Sequence, residues 1–122
     1  MKNKVIIIDD DIDILNAYDA LFRSKGFIVE TAYNTTVGEK IISEFKPDLI
    51  ILDVMMQEPD EGFVFAQYLL DSKINIPIII TSSIAKAGQE IFDMNIPNVK
   101  YILQKPVDLD ELIKYSEKIL SQ

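Results

Sequence analysis

Acidic, hydroxyl and basic side chains follow four separate apolar runs of the chain, at Asp9–Asp11, Asp53, Thr81–Ser83 and Lys105. Carboxylates crowded at one place repel one another unless a cation neutralises them. Oxygen ligands without histidine or cysteine suit Mg²⁺ or Mn²⁺, and protein-bound Mg²⁺ typically shares its coordination shell with a phosphate. If the fold brings these residues together, the chemistry they predict is that of a divalent cation and a phosphate.

Composition excludes several other chemistries. The 122 residues contain no cysteine, which excludes disulfides, thiolate nucleophiles and cysteine-based zinc sites. They contain no histidine either, which excludes histidine general bases, serine–histidine triads and histidine metal sites. Any chemistry of this chain must therefore use carboxylates, hydroxyls, lysines and a bound ion.

Each of these polar residues also has a purely structural alternative. Aspartate is favoured at helix starts, so Asp9–Asp11 could simply cap the first helix. Ser82 could be a helix N-cap and Lys105 a solvated charge. These alternatives do not explain Asp53, because a buried carboxylate at the end of an apolar strand needs a partner. The joint occurrence at four strand ends favours a functional site.

Hydrophobic periodicity predicts five strand–helix units in succession. Short Ile, Val and Leu runs predict the strands, at Val5–Ile8, Phe27–Thr31, Leu49–Leu52, Ile78–Thr81 and Val99–Leu103. Apolar residues at helical spacing predict the helices, at 14–22, 41–45, 63–70, 84–94 and 109–120. Local signals predict helix ends, with a stop at Gly26 and capping boxes at Thr36 with Glu39 and at Asp108 with Glu111.

Such alternation predicts an α/β fold in which helices cover both faces of one parallel sheet. Ligands of doubly wound sheets bind outside the carboxyl ends of the strands, near the switch point of the topology. The four polar groups all stand at predicted strand carboxyl ends. We therefore expect them to share one shallow crevice.

Charge and hydropathy restrict the partners. Lys and Arg number 12 against 20 Asp and Glu, a net charge of −8, so direct binding of nucleic acid is not expected. The longest apolar runs, such as Ile76–Ile80, are too short to span a bilayer, and no signal peptide is visible. We expect a cytoplasmic protein that makes no membrane contact.

Four segments together resemble the receiver domain of two-component response regulators. They are VIIIDDDIDIL (Val5–Leu15), PDLIILDVMM (Pro47–Met56), IPIIITSS (Ile76–Ser83) and QKPVDLDEL (Gln104–Leu112). Each motif alone is a weak signal, but the four occur in the order and spacing of the family over essentially the whole chain. The resemblance implies one receiver domain over residues 1–122, with a flavodoxin-like (βα)5 fold and strand order 2-1-3-4-5.

The resemblance also implies a role for each polar residue. Asp53 corresponds to the phosphoacceptor, and Lys105 to the lysine that pairs with phosphoryl oxygens. Asp10 corresponds to a direct ligand of Mg²⁺ and Asp9 to a ligand acting through water. Asp53 and the backbone carbonyl of Met55 complete the implied metal site.

The hydroxyl residues 81–83 and Pro106 also have counterparts in the family. Ser82 corresponds to the hydroxyl that turns toward the phosphoryl group, and Ser83 to the small residue after it. Thr81 remains an alternative to Ser82. The resemblance further implies that the Lys105–Pro106 peptide bond is cis.

The implied function is a signalling switch, not an enzyme. A sensor histidine kinase or a phosphotransfer protein would pass a phosphoryl group from its phosphohistidine to Asp53, with Mg²⁺ (or Mn²⁺) as cofactor. The change would then be read by an effector domain or a target protein. A homodimer through the predicted fourth helix, fifth strand and fifth helix is a further expectation. A standalone regulator and an excised N-terminal domain both fit the sequence.

Three features depart from the family pattern. After Asp53 the family usually reads D-x-M-M-P-G-M-D-G, whereas this chain reads DVMMQEPDEG, with Gln57 at the usual proline and one extra residue. Ile102 stands where the family has its switch aromatic, with Tyr101 one residue earlier, so it stays open whether an aromatic readout operates. The Gly-Ala usually found before the fifth strand is replaced by Asn95–Asn98, which predicts a rebuilt turn.

Two rival functions fit parts of the pattern less well. A Mg²⁺-dependent phosphatase with an aspartate nucleophile typically has a second acid two residues later, where this chain has Met55. A degenerate receiver used only for docking would not need the complete set of acids, hydroxyl and lysine that this chain retains.

Two apolar residues bear on how long a phosphorylated state lasts. In the resembled family, the positions of Met55 and Ile84 flank the approach of water to the phosphoryl group. Neither side chain can orient water by a hydrogen bond, so the sequence predicts slow autodephosphorylation. The alternative is that both are packing residues that turn away.

Overall fold

Strands and helices alternate along the chain in the computed structural model, which describes residues 3–58, 60–83 and 96–121. The strands are β1 (Lys4–Ile8), β2 (Ile28–Ala32), β3 (Leu49–Asp53), β4 (Ile78–Ser82) and β5 (Val99–Gln104). The helices are α1 (Ile12–Ser24), α2 (Thr35–Phe45), α3 (Glu61–Asp71) and α4 (Leu109–Leu120). Each strand begins and ends within one residue of its predicted bounds. The helix predicted around Ile84 to Met94 lies outside the described residues.

All five strands belong to one parallel sheet with the order β2-β1-β3-β4-β5, which confirms the predicted fold class. The strand order reverses next to β1, between β1 and β3. The carboxyl ends of β1 and β3 therefore lie side by side at the switch point, where doubly wound sheets bind their ligands.

The central strands are buried on both faces because their apolar residues are continuous. In β1, Val5 and Ile7 pack against α1 and α4, whereas Ile6 and Ile8 pack against α2 and α3. Every residue of β3 is buried, including its last residue, Asp53. Continuous Ile and Leu runs are typical of a parallel sheet covered on both sides, since both faces must exclude water.

The ends of α1 follow its local signals. The Asp11 carboxylate accepts hydrogen bonds from the backbone N–H groups of Asp13 (2.9 Å) and Ile14 (3.3 Å). The capping alternative is therefore correct for Asp11. Gly26 has a φ of 89°, and the next N–H, of Phe27, bonds back to the carbonyl of Phe22 at 3.0 Å. This confirms the predicted stop, because glycine tolerates the left-handed conformation that ends a helix.

The predicted capping box of α2 is wrong. The N-cap is Asn34, whose side-chain oxygen accepts from the N–H of Val37 at 2.8 Å, so the helix begins at Thr35. Asparagine caps as well as threonine or better, and Asn34 stands two residues earlier. Glu39 instead accepts a hydrogen bond from the Tyr68 hydroxyl on α3 at 2.6 Å. At the start of α4, Asp108 does act as the cap.

The start of α3 is pressed against the end of β3. The N–H of Gly62 donates to the Val54 carbonyl at 2.9 Å, and a Cβ at position 62 would collide with the carbonyl oxygen of Asp53. Glycine permits this close approach.

No helix within the described ranges is long and apolar enough to cross a bilayer.

Candidate functional site

Three strands deliver charged side chains to the same edge of the sheet. Asp9 follows β1, Asp53 ends β3 and Lys105 follows β5. Because the strands are parallel, their carboxyl ends meet at one edge. The fold thus gathers residues that lie 44 to 96 positions apart in the chain.

Lys105 bridges the two buried carboxylates. Its Nζ donates to Asp9 Oδ2 at 3.0 Å and lies 3.1 Å from Asp53 Oδ1. Asp9 is 2% exposed and Asp53 is 3% exposed, whereas the lysine side chain is 19% exposed. Buried charges need such partners, because burial removes the water that would otherwise solvate them.

Asp10 completes a cluster of three acids. One carboxylate oxygen from each of Asp9, Asp10 and Asp53 lies within 4.8 Å of the others. Asp10 is exposed, so the cluster opens to solvent. Three carboxylates face one lysine, which leaves an excess of negative charge at this edge. Oxygen-only donors with excess negative charge fit a hard divalent cation such as Mg²⁺.

Burial and charge shift the titration of this group. Burial, together with the nearby Asp9 carboxylate, raises the pKa of Asp53 to about 6, although Lys105 opposes the shift. Burial also acts to lower the pKa of Lys105, but the hydrogen bond that Lys105 donates to Asp9 and the negative charge of Asp53 raise it above its usual value. At neutral pH the lysine is therefore an ammonium, and most Asp53 carboxylates are ionised.

The hydroxyl residues lie at the neighbouring strand end. Thr81 is paired in register with Asp53, and the Ser82 carbonyl accepts from the Lys105 N–H at 2.7 Å. Both are buried, whereas Ser83 is exposed. Met55 is the second residue of the loop after β3 and is 38% exposed. Ile84, which was predicted to flank the approach of water together with Met55, lies outside the described residues.

The peptide bond after Lys105 and the aromatic residue of β5 have a structural outcome. The Lys105–Pro106 bond is cis, as predicted. Tyr101 points toward α4 and stacks on Tyr115 with ring centroids 4.3 Å apart. Ile102 packs in the opposite apolar layer. The aromatic ring of β5 is therefore held on the α4 side of the sheet.

Sequence reasoning missed two residues near this site. Tyr18 was predicted only as an apolar-face residue of α1, yet burial raises its pKa, and its side chain lies in the electrostatic field of Lys105 and Asp9. Glu61 was not singled out, yet its carboxylate accepts from the N–H groups of Gln57 and Glu58. An acid at the first position of a helix is an available signal for Glu61, because carboxylates are favoured there.

Replacing Lys105 by methionine is expected to destabilise the metal-free protein by about 1–3 kcal/mol at pH 8. The variant keeps the length of the side chain but leaves two carboxylates buried without their cation. The loss should be smaller at pH 5, because protonation of Asp53 then removes one of the two charges. Urea unfolding in the presence of EDTA at both pH values measures the difference.

Lys114→Met is the matched control, because Lys114 is an exposed lysine on α4. Its free energy of unfolding should stay within about 0.5 kcal/mol of the wild-type value. A loss for Lys105→Met that equals the control, or that grows toward pH 5, would contradict the assigned ion pairs.

Comparisons with known proteins agree with this geometry. The family model described as the response regulator receiver domain matches residues 5–117. The "Probable C4-dicarboxylate response regulator DctR" of Bacillus subtilis is 36% identical over 120 residues, covering 94% of this chain and 51% of that protein. The chain spans about a quarter to about half of the length of the first curated relatives it matches.

Solved structures show the same architecture. The receiver domain of Francisella response regulator 1452 has a TM-score of 0.85 and 28% identity, covering 96% of this chain and 95% of that one. A two-component response regulator from Clostridium difficile has a TM-score of 0.88 and 25% identity, covering 98% and 97%. The likeness therefore extends over nearly the full length of the fold.

Proposed function

The chain belongs to the response regulator receiver domain family, and on that premise we propose that Asp53 is its phosphoacceptor. The single observation that carries the proposal is the bridging of Asp9 and Asp53 by Lys105, at 3.0 and 3.1 Å, beside the open Asp10 carboxylate. A buried nucleophile, a fixed ammonium and an acidic cation site stand together. These are the parts that phosphoryl transfer to a carboxylate requires.

Four residues would hold the cation. The carboxylates of Asp9, Asp10 and Asp53 supply oxygen ligands, with Asp9 acting through water, and the backbone carbonyl of Met55 supplies a further one. Mg²⁺ fits this donor set, and Mn²⁺ is an alternative of the same class. When bound, a divalent cation offsets the negative charge of the phosphoryl oxygens and the nucleophile.

The transfer itself is a displacement at phosphorus. An oxygen of Asp53 forms the new P–O bond while the P–N bond of a donor phosphohistidine breaks. The bonding electron pair stays on the departing imidazole nitrogen. Lys105 stabilises the charge that spreads over the equatorial oxygens in the transition state. The donor histidine must lie outside residues 1–122, because these residues contain no histidine.

The hydroxyl proposed to respond to the phosphoryl group is that of Ser82. Its carbonyl is hydrogen-bonded to the backbone of Lys105, so β4 and the lysine are coupled at this point. A phosphoryl group adds strong acceptor oxygens that can recruit a neighbouring hydroxyl. Thr81, which pairs with Asp53 in the sheet, remains the alternative.

We propose that the chain acts as a switch and not as a turnover enzyme, with residues 1–122 forming one receiver domain. The position two residues after Asp53 is Met55, an apolar residue, so the second acid typical of aspartate-based phosphatases is not there. The output would be read by an effector domain or a target protein. With a net charge of −8, this domain is not expected to contact nucleic acid itself.

Apolar residues beside the site suit a protein donor. On α1, Ile12 is 64% exposed. Leu109 is 41% exposed and lines a cavity of about 520 Å³ along α1 and the start of α4. Its lining includes Lys105 and Tyr18. Exposed apolar patches beside a reactive group mark an interaction site. We propose that the phosphohistidine-bearing domain docks here, in the cytoplasm.

Incubation of the wild-type chain with acetyl phosphate tests the proposal. With Mg²⁺, intact mass should show one phosphoryl addition, and with EDTA it should show none. Borohydride reduces an aspartyl phosphate to homoserine, so peptide mapping should place homoserine at position 53. Phosphoryl addition that persists in EDTA would overturn the assignment, and so would homoserine at another position.

A further inference from the structure

Glu61, the first residue of α3, makes an unusual set of contacts. Its Oε1 accepts from the backbone N–H groups of Gln57 (3.1 Å) and Glu58 (3.3 Å). Its Oε2 accepts from the Thr35 hydroxyl on α2 at 3.1 Å. One half-buried carboxylate thus ties the loop after β3 to the first turn of α2.

A helix-start carboxylate often serves only to cap its own helix, but these contacts differ. The N-cap of α3 is Asp60, which makes no side-chain hydrogen bond to the helix. Glu61 turns away from α3, back along the chain, and its second oxygen reaches a different helix. Its contacts therefore determine the position of the loop more than the stability of α3.

The loop held in this way carries Met55. Its first residue, Val54, is fixed from two sides: its N–H donates to the Thr81 carbonyl at 3.0 Å and its carbonyl accepts from Gly62. At the far end, Glu61 fixes Gln57 and Glu58. Met55 and Met56 lie between these two attachments, so the placement of the Met55 carbonyl depends on both.

We propose that Glu61 is a positioning residue for the cation site, acting through the loop that carries the Met55 carbonyl. The proposal rests on the function proposed above, in which that carbonyl is a metal ligand. Mg²⁺ is strict about the distances of its ligands, so a loosened carbonyl lowers affinity. Loss of a residue that orients a ligand typically weakens metal binding by about tenfold or more.

The glutamine variant separates hydrogen bonding from charge. Glu61→Gln removes the charge but keeps one oxygen for the Gln57 and Glu58 N–H groups and an amide for the Thr35 hydroxyl. Glu61→Ala removes all three contacts. Thr35→Val is a milder variant that removes only the hydrogen bond between Glu61 and α2.

Tyr68→Phe is the matched control. It removes the hydrogen bond from Tyr68 on α3 to Glu39 on α2 and leaves the contacts of the loop unchanged.

Calorimetric titration with Mg²⁺ is the main measurement. Glu61→Ala should bind about tenfold more weakly than wild type, and Thr35→Val should show a smaller loss. Glu61→Gln and Tyr68→Phe should bind nearly as wild type. In EDTA, amide hydrogen exchange at Gln57 and Glu58 should be faster in Glu61→Ala than in wild type or in Tyr68→Phe.

A kinetic readout distinguishes positioning from general damage. In labelling with acetyl phosphate, Glu61→Ala should need about tenfold more Mg²⁺ for its half-maximal rate, while saturating Mg²⁺ restores most of the rate. Unchanged Mg²⁺ affinity in Glu61→Ala would overturn the inference, as would equal losses in Glu61→Gln or Tyr68→Phe. If wild type is not labelled at Asp53, the proposed function fails, and calorimetry and exchange still decide whether Glu61 positions the loop.

Discussion

Asp53→Asn is expected to abolish phosphoryl incorporation from acetyl phosphate in the presence of Mg²⁺. The amide oxygen is a far weaker nucleophile than the carboxylate, and the substitution also removes one ligand charge from the cation site. Intact mass over a time course with saturating Mg²⁺ measures the effect. Asp60→Asn is the control, because Asp60 is an exposed acid near the site whose side chain does not cap α3. Labelling of Asp53→Asn at the wild-type rate would refute the assignment.

The same substitution should stabilise the metal-free protein at high pH. The pKa of Asp53 is raised to about 6 in the folded chain, above the ordinary value near 4 of the unfolded chain. The folded state then binds the proton more tightly, so the free energy of unfolding falls as pH rises from about 4 through about 6. The contribution that is lost amounts to about 2–3 kcal/mol.

Thermal or urea unfolding in EDTA at several pH values checks this. Asp53→Asn should be more stable than wild type at pH 8, and the difference should shrink toward pH 5. Asp60→Asn should show no comparable trend. A difference that widens as pH falls would mean that burial and the Asp9 charge do not dominate the environment of Asp53.

Asp10→Asn should nearly abolish both Mg²⁺ binding and phosphorylation. Asp10 is the exposed member of the acid cluster and provides the carboxylate most open to an incoming cation. In calorimetry the affinity for Mg²⁺ should fall by about 100-fold, which is the upper end of the loss expected for residues that only orient ligands. Mg²⁺ should raise the melting temperature of wild type but not that of the variant.

The neighbouring aspartate offers a charge-matched control. Asp11→Asn removes the same charge one residue away, and asparagine still caps α1, so its Mg²⁺ affinity should stay near that of wild type. In EDTA, Asp10→Asn should be at least as stable as wild type, because one of three mutually repelling carboxylates is gone. A clearly lower stability there would contradict the repulsion argument, and equal losses of affinity in both variants would contradict the metal assignment.

The hydrophobic pattern alone predicted the layers of this fold, whereas the strand order came from the resemblance to the receiver family. Continuous runs such as Leu49–Leu52 can be buried only in a strand covered on both faces, and helical spacing between such runs requires crossover helices. Right-handed crossovers then leave few arrangements. Polar residues at strand carboxyl ends, Asp53 above all, had to lie at the ligand-binding edge. Four motifs at these strand ends then indicated the receiver family, and the family model that matches residues 5–117 confirms it.

Local ends of helices were predicted where a single residue decides them. Gly26 and Asp108 act as predicted, because a left-handed turn or a side-chain cap depends on the nearest few residues. The start of α2 was predicted wrongly, because Asn34 and Thr36 compete for the same cap. Asparagine is preferred over threonine at this position, but by too little to decide between two caps that stand two residues apart.

The contacts within the site depend on how whole elements pack together. Lys105 meets Asp9 and Asp53 because β1, β3 and β5 end at the same edge of the sheet. The raised pKa of Asp53 arises from burial and from charges that are distant in the chain. In the sequence, Glu61 is an ordinary acid at the start of a helix. In the structure its carboxylate connects the loop after β3 to α2, which begins 26 residues earlier. Spacing predicts which residues share an edge, whereas distances, burial and shared hydrogen bonds depend on the packing of whole elements, which no short segment encodes.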